Sequence, residues 1–440
     1  MLRGASVRGQ TPEPETPTKE PRWFYGWTIV GVVALAAFVG AAEANPVLGL
    51  FQGPMTEEFG WSRSLFTLPI AIGSVVGGLL GIVLGPIMDR HGTRWVVTIA
   101  ALILGLTFVL TGATQELWQY FVLQIIGRSV MMATFFVLVG VVIPKWFVQK
   151  RGRAVALANL GQRGGVVAFA VLGERIIQTA SWRTAWVAMG LAIWGLVLLP
   201  AMLFLRRRPE DHGMLPDGAR PDIRTVDQKE RQVQRAGQEV QVSAKEALRL
   251  PAFFLVTAVV VIQSLAYTTV QFHWFTYFTD QGVSSAVAVT SIAIAPFVSM
   301  PVALGVGFFT ERFSVRNVMS AGYIILALSI FLLILTSGGL GAIAFGVAFG
   351  VTHGVLSTTS QLIWPHFFGR NSVGAIRGMA APATTTANAL GPLVAAVSYD
   401  TIGSYIPVYA VIMGLSMLAA VLLLLAQRPQ LPAENPSGDR

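Results

Sequence analysis

The run Gly85-Pro86-Ile87-Met88-Asp89-Arg90-His91-Gly92-Thr93-Arg94 returns in the second half of the chain as Gly307-Phe308-Phe309-Thr310-Glu311-Arg312-Phe313-Ser314-Val315-Arg316. Both copies read glycine, three residues, an acid followed by arginine, three residues, arginine. Each copy sits between two long apolar runs. A short charged loop between hydrophobic segments, present once per half, marks a duplicated chain that crosses a membrane many times. Few architectures satisfy that constraint.

Composition sets the number of crossings. Of 440 residues, 54% are hydrophobic and 12% charged, and the mean hydropathy is +0.63. A soluble protein carries roughly 25% charged residues. One helical crossing takes ~20 apolar residues, so the apolar content suffices for about twelve. The runs do not alternate polar with apolar, which argues against an outer-membrane barrel. The reading is an all-α membrane protein.

A net charge of +9 and a pI near 10.2 would suit a nucleic-acid binder. Distribution argues otherwise. Apart from Arg63, Arg175, Arg183, Arg128 and Arg163, every Lys and Arg falls in the two tails or in loops on one face. That is the positive-inside pattern, which predicts both termini in the cytoplasm and a multi-pass protein of the inner membrane. No nucleic-acid partner is expected. There is no cysteine, so neither disulfides nor thiol chemistry enter.

Hydrophobic runs predict spans at 24–51, 63–87, 95–113, 117–143, 153–178 and 183–205, then 252–278, 285–309, 317–336, 340–364, 377–398 and 404–426. Residues 1–22 are polar and Pro-rich, without the pattern of a cleaved signal, and read as a disordered cytoplasmic tail. The expected organisation is a six-helix bundle over 23–205, a cytoplasmic linker over 206–250, a second six-helix bundle over 251–426 and a tail over 427–440. Ser243 to Arg249 reads as a short amphipathic helix at the membrane surface. On the second span Gly73, Gly77, Gly78, Gly81 and Gly85 recur about every turn, a spacing that lets helices approach closely in lipid.

With the paired acid–Arg loops, the six-plus-six layout and the basic central loop in view, residues 23–426 resemble the major facilitator superfamily. The resemblance implies alternating access between two bundles. It also implies that Asp89, Arg90 and Arg94, with Glu311, Arg312 and Arg316 as the second-half counterpart, brace helix ends and hold the inward-closed state. A narrower resemblance rests on Trp23-Phe24-Tyr25-Gly26-Trp27, on Gly60-Trp61-Ser62-Arg63, on Trp146 to Ala158 and on Arg206 to Gly218. These segments look like the bacterial monocarboxylate and oxalate/formate transporter group. Members of that group often hold their anion with a basic residue in the eighth or eleventh span. Here the eighth lacks one before its cytoplasmic end, and the eleventh has Arg377 only at its entrance. The anion is therefore not carried over by those positions.

Charged groups at mid-membrane are costly, about 2.5–3.5 kcal/mol on insertion scales, and each calls for a reason. Arg163, in Gly161-Gln162-Arg163-Gly164-Gly165, lies near the middle of the fifth span with no acid within a turn. The flanking glycines are read as clearing space beside it, and its planar fork suits a carboxylate. Arg128 lies at similar depth in the fourth span, as a second substrate contact or as a structural partner of Glu43 or of backbone carbonyls. Glu43, before Pro46, is a candidate proton carrier or the partner of a buried arginine. His273 and His353 are candidates for proton coupling, with hydrogen-bonded packing as the alternative. Gln263, Tyr267, Gln361 and Asn388 stand at midplane depth and either line a cavity or bond neighbouring helices.

The functional expectation is a secondary active transporter for a small organic anion, by proton symport or anion exchange. Its partners would be the cargo, a proton or counter-anion and the lipid bilayer, with a monomer as the working unit. A drug or sugar permease is the rival within transporters, and a transport-derived sensor is a more distant one. No phosphate-binding Gly-x4-Gly-Lys-Ser/Thr loop occurs, which disfavours an ATP-driven pump. No cofactor is expected. With no His-Glu-x-x-His motif, no cysteine and no carboxylate pair in one span, an enzyme is not expected.

Overall fold

The structure, a computed structural model, describes residues 24–147, 150–212, 214, 244–336, 338–368 and 373–426. The tails 1–22 and 427–440 and most of the linker 206–250 lie outside the described residues.

Eleven helices among the described residues are long and apolar enough to cross a membrane. The first ten, in chain order, are α1 Gly26–Phe59, α2 Arg63–His91, α3 Arg94–Gly112, α4 Leu117–Ile143, α5 Arg151–Thr179, α6 Trp182–Phe204, α7 Pro251–Asp280, α8 Ser285–Arg312, α9 Val315–Leu335 and α10 Gly339–Phe368. Next comes α11, Val373–Ile402, equally long but interrupted chemically by Arg377, Thr384, Thr385, Thr386 and Asn388. Those polar groups keep α11 below the apolar threshold that its neighbours pass. The eleventh apolar helix is α12, Ile406–Leu425. Among the described residues the fold is all-helical, with twelve long helices.

Duplication is visible in the packing. α1 lies on α5, α2 on α4, and α3 on both α4 and α6. The second half repeats the scheme as α7 on α11, α8 on α10, and α9 on both α10 and α12. The bundles meet through α1 against α7, α2 against α11 and α5 against α8, the pairing that a two-fold relation between halves requires. Large apolar side chains such as Leu79, Ile82, Val83, Phe297, Phe308 and Leu328 point outward, as a lipid-facing surface demands.

Three helices depart from regularity. α1 breaks at a 3-10 turn over Ala41–Glu43, where Ala44 becomes extended and Pro46 starts the next segment. π-turns interrupt α4 at Met131–Phe135 and α6 at Trp194–Leu198. The first predicted span, 24–51, therefore ended too early: past the break the helix runs on to Phe59 despite Pro54. It stops at Gly60, whose φ of 67° is the left-handed conformation glycine supplies at a helix end.

Phe24 and Ala426 mark the face of the bundle that carries the chain ends, here the near face. The turns at Gly60 and Gln281 mark the far face. The four-residue helix Ala244–Ala247 at the near face packs on α11 with Ala247 buried and Leu248 exposed. It is shorter than the sequence segment suggested.

Candidate functional site: a cavity between the two bundles

One cavity of about 930 Å³ lies between the halves. α1 gives it Ala44 and Pro46, and α5 gives Val155, Asn159, Gln162, Arg163 and Val166. From the second half come Gln271 and Trp274 of α7, Ile292, Pro296 and Ser299 of α8, and Phe349, His353, Ser357 and Gln361 of α10. On α5 and α10 the lining residues run from mid-helix toward the near face. The cavity opens that way and is blind at its far end.

Arg163 is half-buried in the wall, and its guanidinium donates to the Ser299 hydroxyl across the cavity at 3.4 Å. No ion pair to Arg163 occurs among the described residues. The glycines beside it do a different task from the one expected. A Cβ at Gly161 would overlap the Ala34 carbonyl oxygen, and one at Gly165 the Phe38 carbonyl oxygen. They let α5 lie directly on α1, and that close contact fixes the height and direction of Arg163.

Arg128 is placed elsewhere. It is 5% exposed, does not line the cavity, and spends its donors within the first bundle. Its Nε donates to Ser74 Oγ at 2.9 Å, one terminal nitrogen to the Glu43 backbone carbonyl, and the other to Asn45 Oδ1 at 3.0 Å. Glu43 Oε2 stands 3.8 Å from Arg128, and the carboxylate is 1% exposed. Arg128 and Glu43 therefore pin the break in α1 whose Ala44–Pro46 corner forms part of the cavity wall. Of the alternatives the sequence left open for Arg128, the geometry supports the structural one.

The other candidates divide. His353 and Gln361 line the cavity, and Gln361 accepts from Arg377 at 2.6 Å. Tyr267 packs its ring 5.2 Å from His353 and donates its hydroxyl to the Thr352 carbonyl at 3.0 Å, which supports that wall from behind. Gln263 is buried on α7 and Asn388 half-buried on α11, and neither reaches the lining. Gln162, next to Arg163 on α5, does reach it, as do Trp274, Phe349 and Ser299. Sequence reasoning missed these four. They carry no charge, and uncharged side chains of these kinds recur throughout the spans, so no local signal sets them apart.

Side chains of Asp89, Arg90 and Glu311 lie outside the described residues. Arg312 is exposed. Arg94 stacks 5.4 Å from the Trp95 ring, and Arg316 donates to the Ala426 carbonyl at the end of α12. The Arg316 contact ties two helices of one bundle together rather than the two bundles.

The bundles are instead joined at the far face. Ser62 caps α2 by accepting from the Leu65 amide at 3.2 Å, which aims Arg63 at the second half. Arg63 forms a two-pronged pair with Asp280 at 2.7 and 3.0 Å, donates to Tyr405, and lies 3.6 Å over the Tyr399 ring. The Asp400 carboxylate then takes the free backbone amides of Arg63 at 3.0 Å and Ser64 at 2.8 Å. A carboxylate from one bundle thus caps the N-terminus of a helix in the other, where the helix dipole favours negative charge.

Two further seams complete the closure. Between α1 and α7, Gln52 contacts His273 Nδ1 and Thr276 at 3.3 Å, while His273 Nε2 meets the Pro392 carbonyl at 2.8 Å. Between α5 and α8, Gln178 bridges Glu174 at 3.0 Å and Ser285 at 3.4 Å. His273 is therefore part of the far seal and not of the cavity.

Among solved structures, a D-xylose-proton symporter matches with a TM-score of 0.67 at 15% identity, covering 91% of this chain and 97% of that one. A bacterial homologue of the human lysosomal transporter Spinster, solved inward-facing and unoccupied, matches with 0.63 at 14% identity over 93% and 96%. The likeness concerns the fold. In sequence, the MFS-type transporter pytF of Aspergillus terreus is 24% identical over 195 residues, 42% of this chain and 63% of that protein. The MFS-type transporter YcxA of Bacillus subtilis is 24% identical over 184 residues, 40% of this chain and 44% of that protein. The chain thus aligns with less than two thirds of either relative. The model of the Major Facilitator Superfamily matches residues 30–392 and 293–440. Twelve helices in two like bundles, a cavity between them and that match together place the chain in the Major Facilitator Superfamily of transporters.

Proposed function

We propose that the protein carries a small organic anion across the cytoplasmic membrane by alternating access, as a proton symporter or an anion exchanger. The observation that carries this reading is Arg163. It is a cation at the middle of a cavity between two bundles, with no ion pair to it among the described residues and with donors left for a ligand. A guanidinium there recognises a carboxylate through two parallel hydrogen bonds. The segments that resemble the monocarboxylate and oxalate/formate group favour the same class. Of Glu43, His273 and His353, the last lines the cavity and is the residue able to sense the charge of bound cargo.

Arg163→Gln is expected to weaken anion binding roughly ten- to hundredfold, since a hydrogen bond to a charged group contributes about 1.5–3 kcal/mol. Arg163→Lys keeps the charge but loses the fork and should fall between. Titration of mono- and dicarboxylates into purified protein, followed by uptake in proteoliposomes with and without a pH gradient, measures both. Anion affinity indifferent to Arg163, or preferential uptake of neutral sugars or drugs, would overturn the proposal.

The orientation is tested separately. Residues Gln115 and Gln281 are exposed at the far face, and Gln228 lies in the linker. In this cysteine-free chain, Gln115→Cys and Gln281→Cys should react with an impermeant maleimide in intact cells. Gln228→Cys should react only after permeabilisation. Labelling of Gln228→Cys in intact cells would reverse the assigned topology.

A further inference from the structure

Arg163 is not the last cation on the way out of the cavity. Arg377 stands one turn into α11 at the near face, and a terminal nitrogen of its guanidinium donates to Gln361 Oε1 at 2.6 Å. Gln361 lines the cavity with an exposed side chain, so the guanidinium is drawn from the end of α11 to the mouth. Arg377 has no ion pair among the described residues, and its other nitrogens make no hydrogen bond among them.

The positive-inside pattern accounts for an arginine at this end of a helix. It does not account for one folded onto a lining glutamine. Nor does α11 itself call for a cation there. The N-terminal end of a helix carries the positive pole of its dipole, and the first turn of α11 has no acid to offset an added charge. The two fields add, and both attract an anion.

Gly354 presses against the Ser299 carbonyl, which sets its neighbour His353 level with the Arg163–Ser299 contact. Gln361 lies about two helical turns nearer the mouth on α10, roughly 12 Å along the axis. A two- or three-carbon acid cannot touch both arginines at once. Accessible hydrogen-bonding groups fill the interval: Asn159 and Gln162 are exposed on α5, and Ser357 and Thr358 are half-buried on α10. Val155, Ala156 and Leu362 stand beside them in the same walls.

We infer that Arg377, positioned by Gln361, forms a second anion-binding station at the near mouth, which holds the carboxylate of the cargo before or after its stay at Arg163. This rests on the anion reading above and adds a site to it. An anion from the near solution meets Arg377 first and exchanges water there for a charge-assisted hydrogen bond. It then moves along the polar track to Arg163. Cargo loading from the far side reaches Arg163 without passing Arg377, so the station acts on one side of the membrane only.

The test places a single thiol between the stations, as Ser357→Cys in the full-length, cysteine-free, detergent-solubilised protein. Its modification is timed with an anionic sulfonate and a cationic trimethylammonium methanethiosulfonate. Arg377→Gln should lower the anionic-to-cationic rate ratio roughly fivefold, as expected for removing one nearby charge. Acetate, the probe acid, should slow modification in the otherwise unchanged protein and with Arg163→Gln, but not with Arg377→Gln. Gln361→Met keeps the charge but frees it from the mouth, so it should give a partial loss, and it serves if Arg377→Gln fails to fold. In oriented proteoliposomes, Arg377→Gln should raise the near-side KM for acetate about fivefold and leave the far-side KM within about twofold. Protection by acetate that survives Arg377→Gln and vanishes with Arg163→Gln would overturn the second station and leave the anion reading standing. An equal rise of KM on both sides would also overturn it. Protection that is absent, or indifferent to both arginines, would overturn both readings.

Discussion

Arg128→Met is expected to destabilise the first bundle by about 3–5 kcal/mol, the usual result of removing one member of a buried ion pair. The substitution preserves apolar volume but takes from the Glu43 carboxylate, the Glu43 carbonyl, Asn45 Oδ1 and Ser74 Oγ the cationic partner that now serves them. Pairing the change with Glu43→Gln removes the uncompensated charge and should recover at least half of the loss. Thermal unfolding in detergent, read for wild type, both single variants and the double variant, gives the coupling between the two sites. A stable Arg128→Met single variant would show that the pair does not hold the α1 break. Arg163→Gln provides the contrast. It breaks no ion pair seen among the described residues, so its unfolding temperature should stay near that of the wild type while anion binding falls.

This contrast also shows where sequence reasoning reached its limit. Arg128 and Arg163 look alike along the chain: each is a single arginine beside glycine near the middle of an apolar run. What separates them is which way the helix faces, and that depends on packing. Gly73 approaches the Arg128 Cβ so closely that α2 and α4 enclose the side chain, whereas Gly161 and Gly165 press α5 onto α1 and leave Arg163 on the open side. Close helix contact through glycine therefore serves opposite placements.

The crossings themselves were legible, because lipid demands long apolar helices and little else reads that way. Even α11 was legible from its length and flanks, although its threonines and Arg377 lower its hydropathy. Boundaries failed where local chemistry competes, as at the α1 break. The far-face clamp was invisible for a different reason. Gly60-Trp61-Ser62-Arg63 stood out only as a family-like segment, and its partners Asp280, Asp400 and Tyr405 belong to the other half of the chain. No local pattern links residues that far apart. Each local part has a physical role once seen together: Gly60 ends α1, Trp61 stacks 4.4 Å from Phe59, Ser62 caps α2, and Arg63 reaches across.

That clamp leads to the prediction with the broadest consequence for transport. The described structure is closed at the far face and open toward the chain ends, so the contacts seen at Arg63 favour this state over its alternate. Contacts made in one state only are what shift an equilibrium. Arg63→Gln removes the two-pronged pair with Asp280 and the stacking on Tyr399, and leaves Asp400 on the helix amides. Asp280 is about one-third exposed on its side chain, so solvent screening reduces the value of the pair. With that discount, the closed state should lose about 1.5 kcal/mol, which moves the balance toward far-open roughly tenfold. Asp280→Asn should act in the same direction and, combined with Arg63→Gln, add little, because both break one interaction. The readout is a single cysteine at Gln271, inside the cavity and behind the seal. Its reaction with an impermeant maleimide from the far side should accelerate in both variants. Unchanged labelling in folded Arg63→Gln would assign the closure to the seams at Gln52–His273 and Glu174–Ser285, and would reduce the Arg63 cluster to an ornament of the closed form.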